Sequence, residues 1–187
     1  MPKAFLRLLV LVLCMVASVP AKAQERRVPH SGSQAVGFDF GVFLPSSDSG
    51  DQLNVAAPVS GFYEYYVTPR VSLRGSTGWT QPSVSGSSID QVRMMPLQFG
   101  VNYNWEGGKW HPFVGGGAGA YFLQYRRRGA ALGESVTRPG VSAGGGIEYF
   151  LSRTVALKGE GRYHSVADIA RVDPSGTTFT VGFKTYF

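Results

Sequence analysis

The chain has a single cysteine, Cys14, and it falls inside an apolar stretch at the N-terminus. Once that stretch is removed no disulfide can form, so an oxidising compartment is allowed but no cross-link is used. Beyond residue 23 there is no run of about 18 apolar residues, which leaves no candidate for a membrane-spanning helix. The three histidines, His30, His111 and His164, are scattered and make no metal-ligand cluster. The glycine tracts lack a following lysine and helix, which excludes a phosphate-binding loop. The one G-x-S-x-G match, Gly140 to Gly144, falls inside a strand candidate with no helix following, so it makes no nucleophile elbow. The formal net charge of +6 falls to +3 once Lys3, Arg7 and Lys22 leave with the N-terminal segment, too little to indicate nucleic acid as a partner. No cofactor is expected.

Residues 1–23 read as a secretory signal peptide. Lys3 and Arg7 form its basic start, Leu8 to Val19 its apolar centre, and Ala21-Lys22-Ala23 its cleavage site. Cys14 raises a lipoprotein reading, but Leu13 stands where a small residue is wanted, and the cysteine lies within the apolar run. The expected organisation is a signal peptide over 1–23, a flexible lead over 24–34 and one domain over 35–187.

What the chain does have points to strands. The 25 glycines and 12 phenylalanines suit short strands and tight turns; inside a helix each glycine would cost roughly 1 kcal/mol. Thr177 to Phe187 alternate most clearly, with Phe179, Val181, Phe183, Thr185 and Phe187 on one face and Thr178, Thr180, Gly182, Lys184 and Tyr186 on the other. Similar segments lie at 35–44, 57–67, 70–80, 92–104, 139–151 and 153–165. Residues 110–125 are glycine-rich and leave their register open. Most segments approach the roughly 9–11 residues that a tilted strand needs to cross a bilayer. Tight turns at Thr68-Pro69 and 151–153, and a slightly longer one over 104–110, alternate with longer connections near 45–57, 81–91, 126–138 and 165–176. The expected fold is all-β: an eight-stranded antiparallel up-and-down transmembrane β-barrel, with short periplasmic turns and longer outward loops. Tyr63, Tyr65, Trp79, Tyr103, Trp105, Trp110, Tyr149 and Phe187 fall near strand ends, where aromatic girdles sit.

Three further segments carry a family likeness: H-P-F-V-G-G-G-A-G-A-Y at 111–121, G-G-G-I-E-Y-F-L at 144–151 and K-G-E-G-R-Y-H at 158–164. With the strand pattern and terminal Phe187, the chain resembles the small outer-membrane β-barrels that include OmpA-type and opacity-type surface proteins. The resemblance implies residence in the outer membrane of a Gram-negative-type bacterium. It also implies that Phe187 serves as an assembly signal for the outer-membrane assembly machinery. It marks the fold and does not mark an activity.

Four constellations are candidates for function. Asp39, Glu64, Arg74, Arg93, Glu148, Lys158, Glu160, Arg162 and Lys184 are assigned to the lumen. Buried charges are costly unless paired, and an eight-stranded interior is about filled by side chains, so an ion-pair network plugging the barrel is expected. A gated pore is the alternative. His164-Ser165, near Glu148, Glu160 and Asp168, could supply the relay of a lipid A deacylase. However, adjacent strand residues face opposite ways, and the His-x-Ser spacing of that family is absent. Arg126, Arg127, Arg128 and Arg138 bracket an outward loop and suit lipopolysaccharide phosphates. The glycines at 115–119 and 144–146 suit steric relief in a strongly curved barrel, or a seat for bulky lumen side chains. The expected role is structural or surface-facing, without enzymatic activity. Its partners would be outer-membrane lipid, lipopolysaccharide and an extracellular or host ligand of the loops. A lipid A-modifying enzyme and a small channel are the alternatives.

Overall fold

The computed structural model describes residues 29–46, 53–87, 89–106, 108–167 and 173–187. The signal peptide, the first part of the lead and Asp168 lie outside them. The strands are β1 (Gln34–Pro45), β2 (Val59–Tyr66), β3 (Val71–Trp79), β4 (Asp90–Asn104), β5 (Trp110–Arg127), the two-residue β6 (Ala130–Ala131), β7 (Val136–Phe150), β8 (Val155–Val166) and β9 (Gly176–Tyr186). Each long strand pairs antiparallel with its neighbours in sequence, with β5 running on to β7. β1 also pairs with β9, from Ala35↔Tyr186 to Pro45↔Gly176. The eight long strands thus form a closed ring, and β6 only extends the tip of β5.

Closure satisfies the backbone without water, as a hydrocarbon environment demands. Alternation then sorts the side chains. Phe38, Phe40, Leu97, Phe99, Phe179, Val181 and Phe183 are exposed on the outer surface, while Asp39, Glu64, Glu148 and Lys184 are buried inside. This inversion of an ordinary soluble protein is what a lipid-facing barrel requires. The open register of 110–125 is now defined: odd-numbered residues from His111 to Leu123 face inward.

Local chemistry sets the turns. At the periplasmic end, Thr68 Oγ1 accepts from Val71 N at 3.0 Å, and Ser152 Oγ accepts from Val155 N at 3.1 Å. Both turns are closed by the same bonds, Val67 N to Val71 O and Leu151 N to Val155 O, each 2.9 Å. At the outer end, Arg128 (φ 50°) and Gly129 (φ 78°) are both left-handed, which suits a two-residue hairpin between β5 and β6. One stretch of wall is interrupted: β3–β4 pairing stops at Thr77↔Leu97 and resumes at Thr80↔Met94. Pro96 lies in that gap and has no N–H to donate.

Phe187 fastens the seam at its periplasmic end. Its N donates to Gln34 O at 2.9 Å and its O accepts from Gln34 N at 3.1 Å. Deleting Phe187 removes both bonds and is expected to lower the folded protein recovered in outer-membrane fractions, measured by immunoblot against the wild type. Unchanged recovery would show that these bonds are dispensable. The intact ring should also resist detergent until heated. Unboiled protein is expected to migrate faster on gels than boiled protein, with a β-type circular dichroism spectrum. A single mobility before and after boiling would contradict a closed barrel.

Candidate functional site

The lumen is layered. At the periplasmic end Ala35, Tyr66, Phe150, Ala156 and Tyr186 pack together. At the outer end Phe43, Leu53, Val92, Met94, Tyr121, Leu123 and Val166 form a second apolar cluster. Ionic and polar layers lie between.

Two centres make up the ionic layer. In the first, Lys184 Nζ contacts Glu64 Oε2 at 2.6 Å, Glu148 Oε1 at 2.7 Å and Tyr66 OH at 2.8 Å. Tyr186 OH donates to Glu148 Oε2 at 2.5 Å, and Asn102 Nδ2 donates to Glu64 Oε1 at 3.2 Å. In the second, Lys158 Nζ donates at 2.7 Å to both Asp39 Oδ2 and Glu160 Oε2. Arg74 reaches the same two oxygens at 3.2 and 2.8 Å, and Arg162 Nε reaches Glu160 Oε1 at 2.6 Å. Arg74 also lies 3.9 Å from Glu64 Oε1, which links the centres. The Phe62 ring sits beneath Arg74 Cζ at 4.2 Å and Lys158 Nζ at 4.1 Å.

The layer holds four carboxylates and four cations, so its formal charge is zero. The charges come from β1, β2, β3, β7, β8 and β9. β4 and β5 supply Gln98, Asn102 and glycine instead, and a Cβ at Gly115 would collide with Asn102 Oδ1. Likewise, a Cβ at Gly182 would collide with Asp39 Oδ1, so glycine makes room for the network.

Arg93 does not belong to it. Val92 and Met94 are buried on the inner face, so Arg93 shares the outer face with Met95 and Leu97. Its assignment to the lumen is corrected on that ground: odd-numbered residues of β4 point outward. The remaining arginines do not converge. Arg127 pairs with Asp90 at 2.6 and 3.1 Å. Arg128 occupies the hairpin tip, and Arg126 Nη2 donates to Gly129 O. Arg138 lies opposite Tyr121, on the inward register of β7.

His164 sits above the ionic layer. Thr178 Oγ1 donates to Arg162 O at 3.2 Å, so it accepts from His164 Nε2 at 3.1 Å. Nδ1 is then the acceptor, taking the Tyr121 hydroxyl at 2.9 Å. Gln98 Nε2 donates to Tyr121 OH and lies 3.3 Å from Nδ1. Both ring nitrogens are therefore engaged by neutral groups. Ser165 pairs with Val141 on the exposed face, away from His164. Among the described residues no carboxylate is bonded to the imidazole, and Asp168 lies outside them. A cavity of about 80 Å³ remains here, lined in part by Arg74, Gln98, Tyr121, Arg162, His164 and Thr178.

An inward face that is polar along its whole length does not account for the apolar outer cluster. The signal for that cluster is nevertheless in the sequence: Phe43, Val92, Met94 and Leu123 all have inward parity.

A closed eight-stranded ring with lipid-facing apolar residues and a charge-balanced interior defines a small outer-membrane-type β-barrel. The family model described as outer membrane protein beta-barrel domain matches residues 9–187, and the chain belongs to that family and to the outer membrane. Its fold is similar to the crystal structure of OprG from Pseudomonas aeruginosa, with a TM-score of 0.66, 11% identity and coverage of 87% of this chain and 99% of that one. The N-terminal β-barrel domain of Pseudomonas aeruginosa OprF gives 0.59, 14%, 85% and 100% for the same measures. The Yersinia pestis attachment invasion locus protein Ail, in complex with the heparin analogue sucrose octasulfate, gives 0.59, 13%, 84% and 99%. Curated proteins provide no sequence match.

Glu160 holds three cations and Glu64 holds Lys184. Glu160→Ala or Glu64→Ala is expected to destabilise the barrel by about 3–5 kcal/mol, because each strands buried cations. Urea unfolding in micelles, followed by gel mobility, measures this. Glu64→Gln combined with Lys184→Met should recover part of the loss. Single variants within about 0.5 kcal/mol of wild type would contradict a tightly coupled layer.

Proposed function

We propose that the protein is a non-enzymatic outer-membrane barrel with a closed lumen, whose role is structural and surface-facing. The observation that carries this reading is the charge-balanced ionic layer joining six strands across the lumen, capped at both ends by apolar side chains. Every charge in that layer has an opposite partner, the arrangement expected of a packed interior. The engagement of His164 by Tyr121 and Thr178 supports the absence of a hydrolytic relay.

On this reading residues 1–23 are an export signal, 24–34 a periplasmic lead whose last residue, Gln34, already opens β1, and 35–187 the barrel. Phe187 is the element recognised by the assembly machinery. The outer loops are the surface for an extracellular ligand, a use of this fold that the Ail complex with a heparin analogue supports by analogy.

Purified protein in planar bilayers is expected to show no sustained unitary current, and incubation with lipid A should release no fatty acid detectable by mass spectrometry. Stable, large unitary currents would replace this reading with a channel. Fatty acid release abolished by His164→Ala would replace it with an enzyme.

A further inference from the structure

We propose that the outer face of β4 and β5 carries a binding site for a phosphorylated lipid headgroup of the outer leaflet, formed by Arg93 and Arg126. The site rests on the barrel's place in the outer membrane and does not depend on whether the lumen conducts or catalyses.

Depth along β4 sets the level of the site. Tyr103, edge-on to Trp105 at 5.0 Å, marks the periplasmic end of the strand. Val101, Phe99, Leu97 and Met95 follow on the outer face and are exposed. From Tyr103 to Met95 the strand covers the length of roughly 9–11 residues that a tilted strand needs to cross the hydrocarbon. Arg93 is the next outward position and falls at headgroup depth. On β5 the same step occurs after Phe122, where Gln124 and Arg126 follow.

Register brings these residues together. Arg93 lies opposite Gln124, and Gln91 lies opposite Arg126. The two arginines are thus diagonal neighbours, with Cα atoms about 7–8 Å apart and long side chains within reach of a shared ligand. Bridges at Thr80↔Met94 and Ser83↔Gln91 place Gln81 across from Arg93, and Gln81 Nε2 donates to Gln91 Oε1. Glutamine therefore borders both cations.

No protein anion meets them. Among the described residues neither Arg93 nor Arg126 has a carboxylate partner, and the nearby Asp90 is held by Arg127. Arg93 Nε and Arg126 Nε are both shut off from solvent without a hydrogen-bond partner. Arg126 is also tied to the hairpin through Gly129 O, which keeps its guanidinium beside the wall. Two guanidiniums pressed against the wall, at the depth where the leaflet presents its headgroups, match a phosphate. The terminal nitrogens of Arg93, and those of Arg126 not held by Gly129 O, can make charge-assisted hydrogen bonds to that group.

The test compares bisphosphorylated lipid A with its dephosphorylated form, each incubated with protein in mild detergent and counted by native mass spectrometry. Wild type is expected to retain the phosphorylated form at least about tenfold better, the equivalent of about 1.4 kcal/mol. Arg93→Gln with Arg126→Gln should remove that preference, and Arg127→Gln with Arg128→Gln should keep it. Heat-dependent gel mobility verifies that each variant is folded. Arg93→Lys with Arg126→Lys keeps the charge without the guanidinium and should give an intermediate preference, which also serves if the glutamine variant does not fold. Equal retention of both lipids by wild type would overturn the site, as would a glutamine variant that keeps the preference. The site is equally overturned if the Arg127/Arg128 variant loses the preference to the same extent, or if millimolar inorganic phosphate displaces the lipid.

Discussion

Backbone N–H and C=O groups find no partner in hydrocarbon, so a sheet that crosses a membrane must have no edge. Here that constraint is met at the seam between β1 and β9, which pair along nearly their whole length. Once the ring is closed its inside and outside are distinct, and period-two alternation decides which side chains meet lipid. The exposed phenylalanines and the buried lysines follow from the same cause.

A small closed ring encloses little volume, and that shapes its interior. Charged side chains enter a low-dielectric space and must be matched nearly one for one. Lys184 faces two carboxylates and Glu160 faces three cations, so each centre holds a shared cluster and no isolated pair. Glycine acts as the complement of this crowding: Gly115 leaves space for Asn102 and Gly182 for Asp39. The apolar clusters flank the ionic layer at either end, and in a low-dielectric interior its ion pairs attract more strongly than they would in water.

The two ends of the barrel have different tasks. The periplasmic turns repeat one compact hydroxyl-capped design, which needs few residues. At the outer end strands run beyond the apolar belt, and their outward residues change abruptly from Met95 and Phe122 to arginine and glutamine. On the proposed headgroup site, that change sets the level at which acyl chains give way to headgroups.

Alternation along Thr177 to Phe187 and the six comparably clear segments gives seven of the eight long strands, with the glycine-rich 110–125 as the eighth, names most inward charges and separates turns from loops. Even the outward placement of Arg93 is legible, because it shares the parity of Met95 and Leu97. The register of β5 is not, since glycine carries no side chain to show a face; its pairing with β4 and β7 decides it. Nor could the sequence tell that Lys184 would meet Glu148 and Glu64, or that His164 would meet Tyr121 in place of a carboxylate. Periodicity determines which face a residue occupies. Which inward residues share a level across the lumen depends on the stagger between strands, and that is settled only when the ring closes.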